Sequence, residues 1–300
     1  MTSDDVVREH FARVTALDPL FPVLEPPEGS ERIEVPGAVG FHTTDLTSPG
    51  TALWAAARRH TLRVRLGGKG APEPLGALLD AWETHLVDKC TRGDRDESAV
   101  VNWPSRDSDA VRELVFHGFA TATVIAVRPA GRPIPHVTTS HTIRPAEPRD
   151  IEVLTDLAVS LHNHDARYGM VTERPNAREL LAEEVKESVE AADGLTVVAE
   201  RDGEVIGFVD AEVGERASWA QPMVAASPTA YLGKLFVRPG ARSGGVATAM
   251  VAEVHAKLDA MGVPVTLMEH VLHNEFSTPF WYRQGYRPLW TIWQRRPAVR

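Results

Sequence analysis

The sequence predicts an α/β protein of two domains, in each of which strands alternate with helices. Segments with strand patterning alternate with segments of helical periodicity through both halves of the chain. The clearest example is residues 230–261, where a β-rich run, a glycine-rich turn and a helical repeat follow one another. A length of 300 residues allows about two domains of roughly 150 residues each. The proline-rich stretch Arg128 to Pro135 is the best candidate for the linker between them.

The first half, residues 1–139, opens with an amphipathic helix over Ser3 to Leu17, which Ser3 or Asp4 can cap. Thr61 to Leu66 alternates leucine and valine with arginine, as expected of a half-buried strand. The run 53–59 is ambiguous between helix and strand. The remaining patterns predict strands at 33–35, 38–43, 98–103 and 121–127, and helices at 73–89 and 105–117.

Residues 67–70 of this half form the glycine-rich turn Gly-Gly-Lys-Gly. The turn lacks the spacing and the Lys-Ser/Thr pair of a P-loop. Phosphate binding and a simple turn both remain open, and the simple turn is favoured because short glycine motifs arise often without function.

The second half begins with a strand at 141–146 and a helix from Asp150, whose apolar positions recur up to Leu161. We interpret the polar residues 161–170 as a loop. This loop holds His162, His164 and Asp165, which are metal-ligand types, but no second ligand pair stands at a recognisable spacing. The sequence therefore predicts a polar loop or helix cap here, and no metal site.

A second helix is predicted from Asn176, with Glu179 completing a capping box, and ends at Gly194. Asp202-Gly203 predicts a tight hairpin between strands at 195–200 and 204–213. Asp210 and Glu212 share one face of the second strand, where they either reach a substrate amine or are exposed charges. Residues 214–229 have no regular pattern, and further strands are predicted at 263–270 and 289–294.

The central segment has the chemistry of an anion site. A strand over Tyr231 to Val237 is stopped by Pro239-Gly240, and a helix follows, with Met250 opening its apolar repeat. The first N–H groups of a helix lack partners and carry partial positive charge. Glycines let a phosphate approach this backbone, and Arg242 adds a permanent cation. The turn 242–247 is therefore suited to a pyrophosphate.

Two motifs here resemble those of the GNAT N-acetyltransferase superfamily. The pattern Arg-x-x-Gly-x-Ala at 242–247, after Leu-Phe-Val-x-Pro, resembles its acetyl-CoA loop. Residues 274–286 resemble its closing segment, which runs from an asparagine to Gly-Phe. The resemblance covers residues 141–293 and implies a GNAT acetyltransferase domain over 140–300. Residues 1–139 repeat the element order and resemble a degenerate GNAT-like domain without a complete acetyl-CoA loop. Each domain is expected to have a mixed, mostly antiparallel sheet.

The resemblance implies a role for each matching residue. Residues of the central strand would pair with pantetheine, those of the turn would hold the pyrophosphate, and Asn274 would touch pantetheine or position the last helix. Trp281 stands where the family often has a catalytic tyrosine, so either Tyr282 or solvent protonates the thiolate. Glu269, His270, Asp210 and Glu212 are the candidate bases. The implied catalytic residues are Tyr282, Glu269 and His270, and the implied cofactor-binding residues are Leu235, Phe236, Val237, Arg242, Ser243, Gly244, Gly245, Val246, Ala247, Thr248, Asn274 and Trp281.

The implied function is transfer of an acetyl group from acetyl-CoA to a primary amine within a ternary complex, releasing CoA and using no metal. The acceptor is a small molecule or a peptide, and the alternative is a non-catalytic acyl-CoA-binding or regulatory protein. A phosphotransferase is excluded by the missing P-loop residues.

Composition sets the remaining expectations. A net charge of −9 argues against nucleic acid as a partner. The single cysteine, Cys90, allows no internal disulfide and fits a reducing compartment. The charged N-terminus and the lack of a long apolar run predict a cytoplasmic protein with no membrane partner. Monomer and homodimer both remain open.

Overall fold

The computed structural model describes residues 2–135, 137–242 and 244–300. The chain forms two compact units. The first comprises the residues up to Ile125 together with Pro288–Arg300, and the second comprises Ala126–Arg287. The sequence predicts a boundary between residues 139 and 140. In the structure, residues 126–139 lie with the second unit instead, and Pro288–Arg300 lie with the first.

The helices and strands alternate along both units, as the sequence patterns predict. The strands are β1 (Glu31–Val35), β2 (Ala38–Leu46), β3 (Arg58–Leu66), β4 (Glu97–Pro104), β5 (Ala120–Pro129), β6 (Thr142–Pro145), β7 (Val197–Arg201), β8 (Glu204–Glu212), β9 (Thr229–Val237), β10 (Val265–Val271) and β11 (Arg287–Arg295). The helices are α1 (Ser3–Leu17), α2 (Pro49–Trp54), α3 (Pro72–Val87), α4 (Val111–Phe116), α5 (Ile151–Ala166), α6 (Ala177–Glu190), α7 (Val246–Ala260) and α8 (Ser277–Arg283).

The first unit is built on a mixed sheet with the strand order β1-β2-β3-β4-β11. β3 and β4 are parallel, and the other neighbours in this set are antiparallel. Helix α3 buries its apolar stripe in the core of this unit, with Trp82 almost fully enclosed. The final strand of the chain therefore joins the sheet of the first unit, at the edge of β4.

Local contacts decide where the first-unit elements differ from the sequence patterns. Helix α1 is capped by Thr2, whose side chain forms a capping box with Asp5, and not by Ser3 or Asp4. The ambiguous run 53–59 holds the end of α2 and the start of β3. Arg65 was expected on the exposed face of its strand but is buried, because it donates to the Leu24 carbonyl and its guanidinium lies over Phe11 of α1.

The glycine-rich turn at 67–70 is tied to helix α1. The Glu9 carboxylate accepts the Gly68 N–H at 2.6 Å, and Arg13 donates to the Gly68 carbonyl at 3.2 Å. Arg13 also pairs with the buried Asp107 at 2.9 Å. The Glu9 carboxylate thus already accepts the hydrogen bond that the Gly68 N–H would otherwise donate to a phosphate. This supports the interpretation of residues 67–70 as a simple turn.

The second unit has the sheet order β10-β9-β8-β7-β6. β9 and β10 are parallel, and the other three pairs are antiparallel, in agreement with the expected mixed sheet. The hairpin between β7 and β8 is confirmed, since Asp202 and Gly203 have φ of 53° and 84°, as its tight turn requires. Helices α5 and α6 pack on β8 and on each other, and α7 packs on β7, β8 and β9.

Two sequence expectations for this unit are wrong. Residues 161–166 continue helix α5 and are not a loop, because no helix-breaking residue occurs before Gly169, which has φ of +78°. Asn176 does precede α6, but its side chain makes no capping bond, so the capping box with Glu179 does not form. No helix in the described ranges is long and apolar enough to span a membrane.

Candidate active site

A cleft opens where β9 and β10 stop pairing. Their parallel register runs from Val265 opposite Thr229 to Met268 opposite Leu232. Beyond this point the two strands line a cleft of roughly 420 Å³. The pairing of β8 with β9 is irregular between Val209 and Ala211, and such a bulge bends a strand. The cleft is therefore bordered by backbone of β9 that is not engaged by β10.

The N-terminus of α7 forms one end of this cleft. Gly245 precedes the helix with φ of +72°, and no side chain of the described residues caps it. A Cβ at this position would overlap the side chain of Val137, so the site requires glycine. By helix geometry the N–H groups of the first turn have no intrahelical acceptor. Val246, Ala247 and Thr248 line the cleft, so the first turn of the helix faces the ligand space.

Arg242 is held at the lip of the cleft by its neighbours. Its Nε donates to the Val237 carbonyl at 3.1 Å. Its guanidinium lies over the rings of Phe236 and Phe276, at 5.5 and 5.3 Å from their centroids. A planar cation stacked between two rings loses little further freedom when an anion binds.

A second depression of roughly 870 Å³ adjoins the cleft and shares Arg242, Phe236, Phe276 and His164 with it. Its wall also carries Arg167 and Arg238, against the acids Asp156 and Glu275. The two cavities therefore form one path, with the Arg242 guanidinium at their junction.

Asn274 shapes the opposite wall of the cleft. Its Oδ1 accepts the N–H groups of Phe276 at 3.1 Å and Ser277 at 3.2 Å, which fixes the turn into α8. Its Nδ2 donates towards Asp165 at 3.5 Å. The side chain is buried and already engaged with protein, so it orients α8 as well as lining the cleft.

Asp165 belongs to the candidate site, although the sequence indicates for it only a place among metal-ligand types in a polar loop. It lines the cleft from the last turn of α5. Burial raises the pKa of Asp165 to about 6. The hydrogen bond from Asn274 has the opposite, smaller effect on this pKa. The helical spacing from Ala158 through Leu161 to Asp165 would have placed it on the buried face, had the helix been extended past Leu161.

Replacing Asp165 by asparagine should stabilise the protein, and more so at pH 8 than at pH 4.5. The folded state disfavours the ionised form of Asp165. The resulting loss in free energy of unfolding is absent below the ordinary pKa of 3.8 and complete above about 6. The gain at pH 8 should reach about 1–3 kcal/mol. Thermal unfolding of both proteins at the two pH values measures it. A variant less stable than wild type at pH 8 would show that the carboxylate is stabilised by its surroundings.

The two candidate bases on β10 are placed differently. Glu269 is exposed and lines the cleft. His270 is buried, and burial lowers its pKa, so the imidazole is neutral at pH 7. Its Nδ1 lies 3.3 Å from Thr278 Oγ1, and its Nε2 has no hydrogen-bond partner within the described part of the chain.

Helix α8 turns Trp281 and Tyr282 in different directions. Trp281 is buried and lines the cleft. Tyr282 is 39% exposed, is not among the described residues that line the cleft, and lies edge-on to His270 with ring centroids 5.8 Å apart. Burial raises the pKa of the Tyr282 hydroxyl. The rotation of about 100° per helical residue separates the two side chains.

Asp210 and Glu212 do not lie among the cleft-lining residues. Asp210 is 3% exposed, accepts the Lys234 N–H and pairs with Lys234 Nζ at 3.1 Å. Lys234 Nζ also reaches Glu184 at 3.2 Å. Glu212 accepts the Trp219 indole N–H at 3.1 Å, and burial raises its pKa. Asp210 therefore fixes the bulge of β9, which is a structural task, and neither of the two sequence interpretations described it.

Most of the sequence-predicted cofactor residues meet in the cleft. Gly244 is exposed and is not one of the described lining residues, and Ser243 lies outside the described residues. The predicted residues that line the cleft are Leu235, Phe236, Val237, Arg242, Gly245, Val246, Ala247, Thr248, Asn274 and Trp281, with Glu269 and His270 of the catalytic set. The structure adds Leu161, His164, Asp165, Gly233, Met268, Val271, Phe276, Ser277, Phe280 and Arg283.

The fold and the cleft define an α/β domain in which two parallel strands stop pairing around a cleft, with a helix N-terminus at one end. Residues 158–286 match the model of the acetyltransferase (GNAT) family, and the second unit contains a GNAT domain. A search of the curated proteins found no match.

Solved structures agree on the fold. A GCN5-related N-acetyltransferase from Sphaerobacter thermophilus is similar at 14% identity and a TM-score of 0.58, over 88% of this chain and 78% of that one. An acetyltransferase of the GNAT family from Colwellia psychrerythraea is similar at 10% identity and a TM-score of 0.52, over 98% and 96% of the two chains. At these identities the likeness concerns the fold alone.

Proposed function

We propose that the protein is an N-acetyltransferase that transfers the acetyl group of acetyl-CoA to a primary amine by direct attack in a ternary complex. The observation that carries this proposal is the cleft between β9 and β10, with the N-terminus of α7, which no described side chain caps, at one end. This cleft joins an anion site to a strip of unpaired strand backbone, which matches a pyrophosphate followed by an amide-containing arm.

Acetyl-CoA would lie along this path. The first-turn N–H groups of α7 and the Arg242 guanidinium would hold its pyrophosphate. The backbone of residues 235–237 of β9 would pair with the pantetheine amides, as a neighbouring strand does. The arginines of the adjoining depression take the remaining phosphate of CoA. A backbone N–H of β9 at the inner end would donate a hydrogen bond to the thioester oxygen as negative charge develops on it.

The acetyl transfer needs a free amine. The amine nitrogen attacks the thioester carbonyl, the C–S bond breaks, and the electron pair leaves on the CoA sulfur. Glu269, through a water, takes the proton that the ammonium must lose, because it is the exposed carboxylate that lines the cleft from the end of β10. Solvent protonates the thiolate, since Tyr282 is directed away from the cleft lining.

Replacing Glu269 by glutamine should lower kcat/KM at neutral pH by about 10²-fold, with a smaller loss at high pH. At high pH a larger fraction of the acceptor is already the free amine, so a protein base contributes less. A pH–rate profile of both proteins measures this difference. A rate that is unchanged at neutral pH would remove Glu269 as the base, and His270→Gln is the next variant in that case.

The proposal itself is tested by measuring the release of the CoA thiol from acetyl-CoA in the presence of a panel of small amines and of peptides with a free N-terminus. Tight CoA binding without transfer to any acceptor would favour a non-catalytic acyl-CoA-binding protein. The specific observation behind this second function is that Trp281, which is no acid, lines the cleft where Tyr282 does not.

The two halves of the chain have unequal roles in this proposal. Residues 140–300 provide the acetyltransferase site, and residues 1–139 form a degenerate GNAT-like domain whose glycine turn is filled by Glu9. We assign the protein to the cytoplasm, where acetyl-CoA and reduced cysteine both occur.

A further inference from the structure

A cluster of metal-ligand side chains lies in the first unit. His60 of β3 and Glu97 of β4 approach because these parallel strands pair Arg58 with Glu97. Cys90 follows α3 and is anchored by its N–H to the Leu86 carbonyl at 3.0 Å. His60 Nε2, Cys90 Sγ and one Glu97 oxygen all lie within 4.8 Å of one another.

The spacing of these atoms matches a tetrahedral metal site. Cys90 Sγ is 3.3 Å from His60 Nε2, and that nitrogen is 4.0 Å from Glu97 Oε2. Zinc bonds of about 2.0–2.3 Å to nitrogen, oxygen and sulfur place neighbouring ligand atoms about 3.3–3.7 Å apart. Two of the three pairs therefore lie within a few tenths of an ångström of this spacing, and the third pair, Cys90 with Glu97, lies within 4.8 Å.

The surroundings hold His60 ready to act as a ligand. The imidazole is fully buried, and its Nδ1 lies 3.1 Å from Thr44 Oγ1. A hydroxyl that accepts the Nδ1 proton leaves the Nε2 lone pair directed at the cysteine, as the outer partners of metal-bound histidines commonly do. Burial also lowers the pKa of His60, which favours the neutral, ligating form.

A nucleophilic cysteine explains the same residues less well. Burial and the Glu97 carboxylate raise the pKa of the Cys90 thiol to about 11, the opposite of an activated thiolate. Arg58 pairs with Glu97 Oε1 at 3.3 Å and partly balances its charge, and the Thr91 N–H donates to Glu97 Oε2 at 3.0 Å. The cluster thus holds a thiol that is not activated for nucleophilic attack beside an imidazole nitrogen and a carboxylate oxygen, which are the ligand types of a zinc site.

We propose that the first unit binds one Zn²⁺-type ion through His60 Nε2, Cys90 Sγ and Glu97, with the fourth position left to water or a small ligand. The soft thiolate and the imidazole select zinc over calcium or magnesium. The sequence predicted no metal site because the three ligands lie in separate segments. The site belongs to the first unit and is independent of the proposed acetyl transfer.

Metal binding has a proton balance. The Zn–S bond forms as the thiol loses its proton to solvent, while His60 and Glu97 bind in the forms they already have. Loading wild-type protein with Zn²⁺ at pH 7 should therefore release about one proton per ion. The Cys90→Ser variant should release about none.

The test titrates the full chain, first stripped by chelator and kept reduced, with Zn²⁺ and with Co²⁺ as a spectroscopic probe. Wild type should bind one ion and show a thiolate-to-cobalt charge-transfer band. Cys90→Ser should lose that band and bind Zn²⁺ at least about 10-fold more weakly. Circular dichroism checks that the variant is folded, and Glu97→Gln supplies a second variant with the thiol intact.

A neighbouring triad provides the matched control. Glu31, His42 and His85 also bring their ligand atoms within 4.8 Å, but His42 Nδ1 and His85 Nε2 already share a hydrogen bond at 2.8 Å and Lys89 pairs with Glu31. His85→Ala should leave the cobalt band unchanged. No Zn²⁺ binding by wild type, or loss of binding in His85→Ala but not in Cys90→Ser, would overturn the proposal.

Discussion

Replacing Asp210 by alanine should destabilise the second unit by about 2–4 kcal/mol, because it leaves the Lys234 ammonium, whose side chain is only 14% exposed, without its buried counter-ion. Burial alone lowers the pKa of Lys234, yet Asp210 and Glu184 together raise it. The carboxylate also accepts the Lys234 N–H at the bulge. The variant therefore loses an ion pair, and it leaves the Lys234 N–H of β9 without its hydrogen-bond acceptor.

Hydrogen exchange measured by mass spectrometry can assign this loss to the right unit. Peptides from β8 and β9 should lose protection, while peptides from β3 and β4 serve as an internal reference. Glu184→Gln is the matched control, since Glu184 is the outer and more exposed partner of Lys234, and it should cost about 1 kcal/mol or less. The paired change Asp210→Leu with Lys234→Met should recover the part of the loss that comes from the unpaired ammonium, and leave the part that comes from the Lys234 N–H. Wild-type protection in Asp210→Ala would contradict the structural role.

The backbone features of the site and of its fold could be predicted from the sequence because their signals are local. The turn before α7 needed only a glycine, a strand stop and a helical repeat, all within a few residues. The hairpin at Asp202-Gly203 is likewise specified by its own two residues. Predictions of this kind succeed because the physical cause lies inside the segment.

Side chains that act through distant partners could not be assigned in this way. Asp210 was read as a substrate-facing or exposed charge, whereas a lysine on the next strand holds it inside. Asp165 was placed in a loop, although its helix continues and buries it against Asn274. Cys90 and His60 meet only because β3, β4 and the end of α3 converge. Each case depends on contacts between segments, which sequence spacing does not encode.

Replacing Arg242 by alanine should raise KM for acetyl-CoA by about 10- to 100-fold and change kcat little. A charge-assisted hydrogen bond to a phosphate contributes about 1.5–3 kcal/mol, which corresponds to this range. The guanidinium lies at the junction of the two cavities, remote from the acyl end of the path, so its loss weakens binding before and during the reaction alike. Initial rates at varied acetyl-CoA, or calorimetric titration with CoA, measure the effect.

Two further variants separate the charge of Arg242 from its shape. Arg242→Lys keeps the charge but loses the planar group that stacks between Phe236 and Phe276, so it should restore only part of the affinity. Arg149→Ala removes an exposed arginine that pairs with Glu147 and is not among the described residues lining either cavity, and it should leave KM unchanged. If Arg242→Ala bound CoA as tightly as wild type, the pyrophosphate would have to rest on the α7 backbone alone. The affinities of the variant and of wild type should then fall equally as salt is added, whereas an Arg242–phosphate contact makes wild-type binding the more salt-dependent of the two.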